Sequence, residues 1–252
     1  MSDGFKRRDS LFATIRRKRT GGWNLAPSSL AQWFSAVGTV LAVFIVLFKD
    51  LFLVWKRRPI LDVTCSKDIP ETVRTTITTW PGKYVSGAPR NVECYFVRIK
   101  VTNTGSTRAE KVQVSATTLT KRGLDNKFVD IQTTLPSNMR WSNSPHDAPL
   151  RVLDGISQNM ASFCDIVTLR DPHGYQRRPA GAPDNLTIGL LELEFYPGEE
   201  WHLLTPGTYR ISLKIGAANA APIDRTIEFT HTGAWTNDDA LMQRDFLDVK
   251  LI

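Results

Sequence analysis

The alternation of apolar and polar positions divides the chain into two regimes. From Leu30 to Phe48 it reads LAQWFSAVGTVLAVFIVLF, 19 residues without a charge in which only Gln32, Ser35 and Thr39 are polar. A helix rises about 1.5 Å per residue, so this stretch spans roughly 29 Å, close to the ~30 Å hydrocarbon core of a bilayer. It has no polar face and is bracketed by basic clusters, which argues against a core helix of a soluble domain. The helix is expected to run past Lys49-Asp50 through Leu51 to Trp55 and to stop before Pro59, with Ser28 or Ser29 as N-cap and Trp33 near an interface. A cleaved signal peptide fits less well, because the run exceeds the usual ~7–15 apolar residues and KDLFLVWKRRP follows it without a small-residue cleavage pattern. Ala31, Ser35, Gly38 and Ala42 recur at steps of four, three and four. They share one helix face where backbones can approach closely, the expected packing surface for self-association or a partner helix.

From Ile60 onward the period changes to two. Val97, Ile99 and Val101 alternate with Arg98 and Lys100, and Val112 and Val114 with Lys111, Gln113 and Ser115. Tyr209, Ile211, Leu213 and Ile215 alternate with Arg210, Ser212 and Lys214, and Ile227 and Phe229 with Glu228. Each predicts a strand with one solvated face. Asn103-Thr104-Gly105, Lys121-Arg122-Gly123, Asp125-Asn126, Pro197-Gly198 and Pro206-Gly207 mark turns between them. With further strands expected at 60–65, 128–135, 161–169 and 186–195, about eight strands and no long helix point to a mainly β domain, an antiparallel sandwich. Long polar loops are expected at 136–158 and 170–185, where function on such a scaffold usually sits. A short helix or turn is expected in the tail from Asn237, with Asn237 as its cap.

Charge sharpens this division. The chain has 252 residues and a formal charge of +7, but residues 1–58 hold 11 Lys and Arg against three acids, and residues 59–252 carry 21 bases against 22 acids. The basic excess flanks the apolar stretch, where it would meet anionic headgroups, and the nearly neutral remainder argues against a nucleic-acid partner. Three domains follow: a basic tail at 1–29, a transmembrane helix with its basic juxtamembrane segment at 30–58, and a β-sandwich at 59–252. Within the tail, Phe5, Leu11, Phe12 and Ile15 lie between charges, which suits either a surface helix or a solvated tail. Seven Lys or Arg precede the span and four follow it, favouring a cytoplasmic N-terminus. Cys65, Cys94 and Cys164, an odd set without CxxC, favour a reducing compartment for the domain instead, so the sequence assigns no side to it.

Chemistry-bearing motifs are sparse. GxSxG, P-loop, GxGxxG and HExxH patterns are absent, and His146, His173, His202 and His231 are far apart in sequence. An enzyme would need His146, Asp147, Asp171 and His173 to converge; the expectation is that the chain is not an enzyme and has no cofactor, metal or catalytic site. Tyr175, Arg177 and Arg178 form a basic loop able to hold a phosphate or an anionic headgroup, the candidate binding loop. Trp141, Trp201 and Trp235 are expected to anchor the ends of the core, and Cys94 and Cys164 to be buried. Asn185-Leu186-Thr187 matches a glycosylation sequon.

The stretch AQWFSAVGTVLAVFIVLFKDLFLVWKRRPILDV resembles the opening of a loose group of bacterial single-span membrane proteins. In these, an apolar helix rich in small residues passes through a charged step and Arg/Lys-Pro into a first strand. YFVRIKVTNTGSTRAEKVQVSA is similar to the strand–Asn-x-Gly–strand unit of their immunoglobulin-like domains, and LTPGTYRISLKIGAANAAPIDRTIEF to a closing hairpin. The resemblance covers residues 30–232 in outline and implies an anchor and an immunoglobulin-like fold without an activity. The expected function is a membrane-anchored binding or scaffolding module holding a protein partner or ligand at the bilayer. Its rival is an effector of a bacterial defence or toxin system, with a sensing β domain and a helix that oligomerises in the membrane.

Overall fold

The computed structural model describes residues 27–79, 90–142, 144, 150–174 and 178–252. The chain forms two units, divided between Phe52 and Leu53. The sequence reading of the tail at 2–20, the pair His146-Asp147 and the loop residues Tyr175 and Arg177 lie outside the described residues.

The apolar stretch forms helix α1, Pro27–Lys56, which begins three residues before the expected start and whose last turn belongs to the second unit. Proline suits a first helical turn, where its missing N–H has no partner to lose. The helix runs through Lys49-Asp50 and ends three residues before Pro59, as expected. Every residue from Leu30 to Lys49 is exposed, so the apolar surface surrounds the whole helix. Ser29–Lys49 is long and apolar enough to cross a bilayer, a property shared by membrane anchors and by signal sequences near an N-terminus.

The second unit is built from strands β1 (Leu61–Thr64), β2 (Thr72–Thr79), β3 (Arg90–Asn103), β4 (Ala109–Arg122), β5 (Phe128–Asp130), β6 (Ser137–Asn138) and β7 (Arg140–Trp141). There follow β8 (Val152–Ile156), β9 (Ala161–Arg170), β10 (Gly189–Leu191), β11 (Leu203–Leu204), β12 (Gly207–Ala217) and β13 (Ala220–His231). A three-residue helix α2 (Asp239–Leu241) and a π-turn at Met242–Phe246 lead into the last strand, β14 (Leu247–Leu251). Among the described residues they form two antiparallel seven-stranded sheets. One has the order β1-β3-β9-β10-β11, with β2 collinear with β1 along β3 and β7 on β9 beside β10. The other has the order β14-β13-β12-β4-β5, with β6 and β8 also lying along β4.

The alternating positions read from the sequence face one shared core. Val97, Ile99 and Val101 of β3, Val112 and Val114 of β4, Tyr209, Ile211, Leu213 and Ile215 of β12, and Ile227 and Phe229 of β13 are all buried in it. Trp141 is buried there, and Trp201 and Trp235 pack against its margin. Both edges of the two-sheet stack are tied. Ser66, between β1 and β2, bridges Lys250 of β14, and residues 137–141 cross from the second sheet to the first around the buried Met139. Linking edges in this way removes unpaired backbone that would otherwise recruit foreign strands.

Three expectations need correction. The segment 136–158 is not a plain loop, because β6, β7 and β8 fall within it; each is short and gains its pairing only from β4 or β9. The strand β2 was not expected, since its Thr-rich sequence lacks a clean apolar alternation, although β-branched threonine suits a strand. The tail helix is capped by Asp238, not Asn237: Asp238 Oδ1 accepts from Leu241 N–H at 3.1 Å, while Asn237 Oδ1 accepts from the Trp235 indole at 3.0 Å.

Candidate functional site

The most elaborate polar structure in the β unit lies on the outer face of the first sheet. Register along β3 and β9 sets it up. Ile99 faces Cys164, Arg98 faces Asp165 and Val97 faces Val167, so Ile166 is an extra residue, a bulge. The bulge sends both Asp165 and Thr168 to the face turned away from Val97 and Ile99. Glu192, just past β10, closes over them. It is buried, with Oε1 accepting from Thr168 Oγ1 at 2.5 Å and Oε2 accepting from Tyr196 O–H at 2.8 Å and Arg140 Nη1 at 3.4 Å. Asp165 accepts from the Ser142 hydroxyl, and the Arg98 guanidinium stacks 4.7 Å from the Phe163 ring centre while donating to the Pro70 carbonyl.

Burial governs the electrostatics. It pushes the Asp165 carboxyl up to about 6, against the opposing Ser142 bond and the nearby Arg98 and Arg140 charges. The Tyr196 phenol is raised by burial and then by the Glu192 charge and bond. Burial also lifts the thiols, Cys65 and Cys94 to about 12, and all three described cysteines are free. These are protonated, unreactive thiols at neutral pH.

Toward solvent the network is capped by aromatics. The Tyr196 ring lies 5.4 Å from that of the buried His202, and Phe195 beside it is 72% exposed. Glu194 accepts from Asn138 Nδ2 at 3.2 Å and pairs with Arg151 at 3.7 Å. What this arrangement offers is a rigid surface of held charges around an exposed aromatic pair, the residue types that anchor protein interfaces. The sequence reading missed it, because its members come from five segments and its periodicity is broken by the bulge. Phe195-Tyr196 before Pro197-Gly198 was the available signal: two aromatics beside a turn.

The residues singled out from sequence lie elsewhere. Arg178 does not present its guanidinium to a ligand; Nη1 donates to the carbonyls of Pro183 at 2.6 Å and Leu186 at 2.9 Å, and Nη2 to those of Pro172 at 2.9 Å and Asp184. It ties Pro172, Pro183, Asp184 and Leu186 to one another. Ala31, Ser35, Gly38 and Ala42 are all exposed on α1, and a Cβ built on Gly38 meets nothing within 4 Å beyond its chain neighbours and the adjacent helix backbone. Thr39 Oγ1 donates to the Ser35 carbonyl at 2.8 Å, which satisfies its hydroxyl within the helix.

The described histidines are dispersed. His173 is exposed, His202 is buried beside Tyr196 and Trp201, and His231 is buried with Nε2 3.1 Å from the carbonyls of Leu204 and Thr205. Desolvation lowers His231 to about 4, so it is neutral at pH 7 with Nε2–H donating to those carbonyls. Among the described residues no three His, Cys, Asp or Glu side chains gather as a metal site. On the outer face of the second sheet, the buried Glu228 is held by Arg210 and Lys250 at 2.9 Å and by Arg122 at 3.2 Å, with Arg210 lying 3.8 Å from the Phe128 ring centre. Comparison with family models, curated proteins and solved structures returns no match for this chain.

Proposed function

We propose that the chain is a single-pass membrane protein of a bacterial inner membrane, whose β unit is an immunoglobulin-like binding or scaffolding module. It holds a protein partner at the bilayer through the face around Phe195 and Tyr196. The observation that carries the reading is the first helix: an apolar surface exposed on every side from Leu30 to Lys49, followed within 12 residues by the first strand of a core-bearing β unit. An all-round apolar helix is stable in lipid or against a partner, and its basic flanks suit headgroups. The immunoglobulin-like assignment draws support from two antiparallel sheets around one core and from the strand–turn–strand unit at Asn103 and Gly105. Phe195 is favoured as the contact because an exposed ring beside a rigid ionic network gains by burial at little cost in ordering.

The test combines carbonate extraction of membranes with a benzoylphenylalanine crosslinker at position 195, and the same crosslinker at the fully exposed Leu124 as control. Retention in the pellet and a discrete adduct at 195 but not at 124 are expected. A chain released by carbonate would remove the anchor, and equal crosslinking at both positions would remove the binding face.

A further inference from the structure

We infer that the end of the β unit where the chain arrives from α1 rests on the bilayer surface. Ile60 and Met160 would sit in the headgroup layer and Arg57 and Arg58 on lipid phosphates; this rests on the reading of α1 as a membrane span. The geometry begins with one turn, residues 103–107. Asn103 N–H donates to the Met160 carbonyl at 3.0 Å, and Asn103 Oδ1 accepts from Ile60 N–H at 3.3 Å. Thr104 N–H donates to the Ile60 carbonyl at 2.8 Å, and Thr107 Oγ1 to the Arg57 carbonyl at 2.6 Å. The segment leaving the helix and the tip between β8 and β9 are therefore fixed to the same turn. Ile60 and Met160 are nonetheless 52% and 60% exposed. Scattered exposed apolar residues are ordinary, but these two are held by one turn that also binds the Arg57 carbonyl.

Lengths along α1 agree. Its 30 residues span about 45 Å, the thickness of a bilayer with its headgroups. Arg57 and Arg58 follow the helix directly and fall at headgroup level, with Ile60 two residues beyond. The opposite end of the unit differs, since the 14-residue β4 carries Leu124 roughly 40 Å away.

Full-length protein with Cys65→Ser would be reconstituted into vesicles of phosphatidylcholine and phosphatidylglycerol containing headgroup spin-labelled lipid. A fluorophore is attached at Ile60→Cys, Met160→Cys or Leu124→Cys, while the native Cys94 and Cys164 stay buried. Quenching several-fold stronger at 60 and 160 than at 124, rising with the phosphatidylglycerol fraction, is expected. Equal quenching at all three positions in protein that still floats with the vesicles would overturn the surface contact and leave the anchor standing. Loss of flotation would overturn both. Shielding of position 160 that follows protein density and not spin-labelled lipid would assign the patch to a second copy and overturn the proposal. The two labels are independent, so a folding defect in one leaves the other to decide.

Discussion

Asn103 is fully buried, and its side chain serves three segments at once. Besides Ile60, Oδ1 accepts from Gly105 N–H at 3.0 Å, and Nδ2 donates to the carbonyls of Thr107 at 2.7 Å and Ile156 at 2.9 Å. Alanine there strands two N–H groups and two carbonyls, each costing about 1–3 kcal/mol when buried without a partner. The losses share one site and are not additive, so Asn103→Ala is expected to cost roughly 3–4 kcal/mol in urea unfolding of the detergent-solubilised chain. Thr104→Ala, one residue on and exposed, should stay within about 0.5 kcal/mol of the parent. Gly105 is fixed by close approach: a Cβ there would lie 2.3 Å from Ile60 N and 2.5 Å from the Arg58 carbonyl oxygen. The turn at Asn103-Thr104-Gly105 was legible from its residues alone. Its role as the anchor of the juxtamembrane segment was not, because the partners lie 43 and 53 residues away in sequence. Arg178 illustrates the same limit. A guanidinium next to Tyr175 and Arg177 reads as an anion site, and only folding reveals that four carbonyls of its own loop take its donors.

Elements were legible in proportion to their length and regularity. The helix α1 and the strands β3, β4, β9, β12 and β13 carry ten or more residues each, and all were foreseen in place, β9 despite its bulge. The two-residue β6, β7 and β11 hold no pattern of their own; they exist because long neighbours offer them a ladder. The helix poses the converse problem, since its form is plain and its partner is not. The small-residue face at Ala31, Ser35, Gly38 and Ala42 allows close approach of a second helix, the step on which the effector reading depends. Gly38→Leu is a clean probe, because nothing but its chain neighbours and the adjacent helix backbone lies within 4 Å of the added Cβ and leucine has the higher helix propensity by about 0.8 kcal/mol. If this face drives self-association, energy transfer between labelled copies in vesicles should fall to the level of an unrelated single span. Unchanged transfer would remove the face from any assembly, and the anchor reading would stand without it.

At the scale of the whole β unit, two titrating groups oppose each other, the half-buried Asp165 and the buried His231. Asp165 rises from 3.8 to about 6 on folding, so the native state holds its proton more tightly than the unfolded chain and stability falls as pH climbs from about 4 to 6. His231 drops from 6.5 to about 4, so the unfolded chain binds the proton more tightly and stability is lost as pH falls from about 6.5 to 4. At about 1.4 kcal/mol per pH unit, each effect is worth roughly 3 kcal/mol, a large share of a typical domain's ~5–15 kcal/mol. Their signs are opposite in nearly the same window, so the two nearly cancel in the parent. Replacing either one uncovers the other. Relative to the parent at each pH, which removes the titrations common to both proteins, Asp165→Asn should lose about 3 kcal/mol on going from pH 7 to pH 4. His231→Gln, which keeps a donor for the carbonyls of Leu204 and Thr205, should gain a similar amount over the same interval. Urea midpoints at four pH values for the three proteins decide it. Parallel curves would mean that both groups keep ordinary affinities for the proton, and that the outer face of the first sheet is wet around Asp165 and the interior around His231 is no drier.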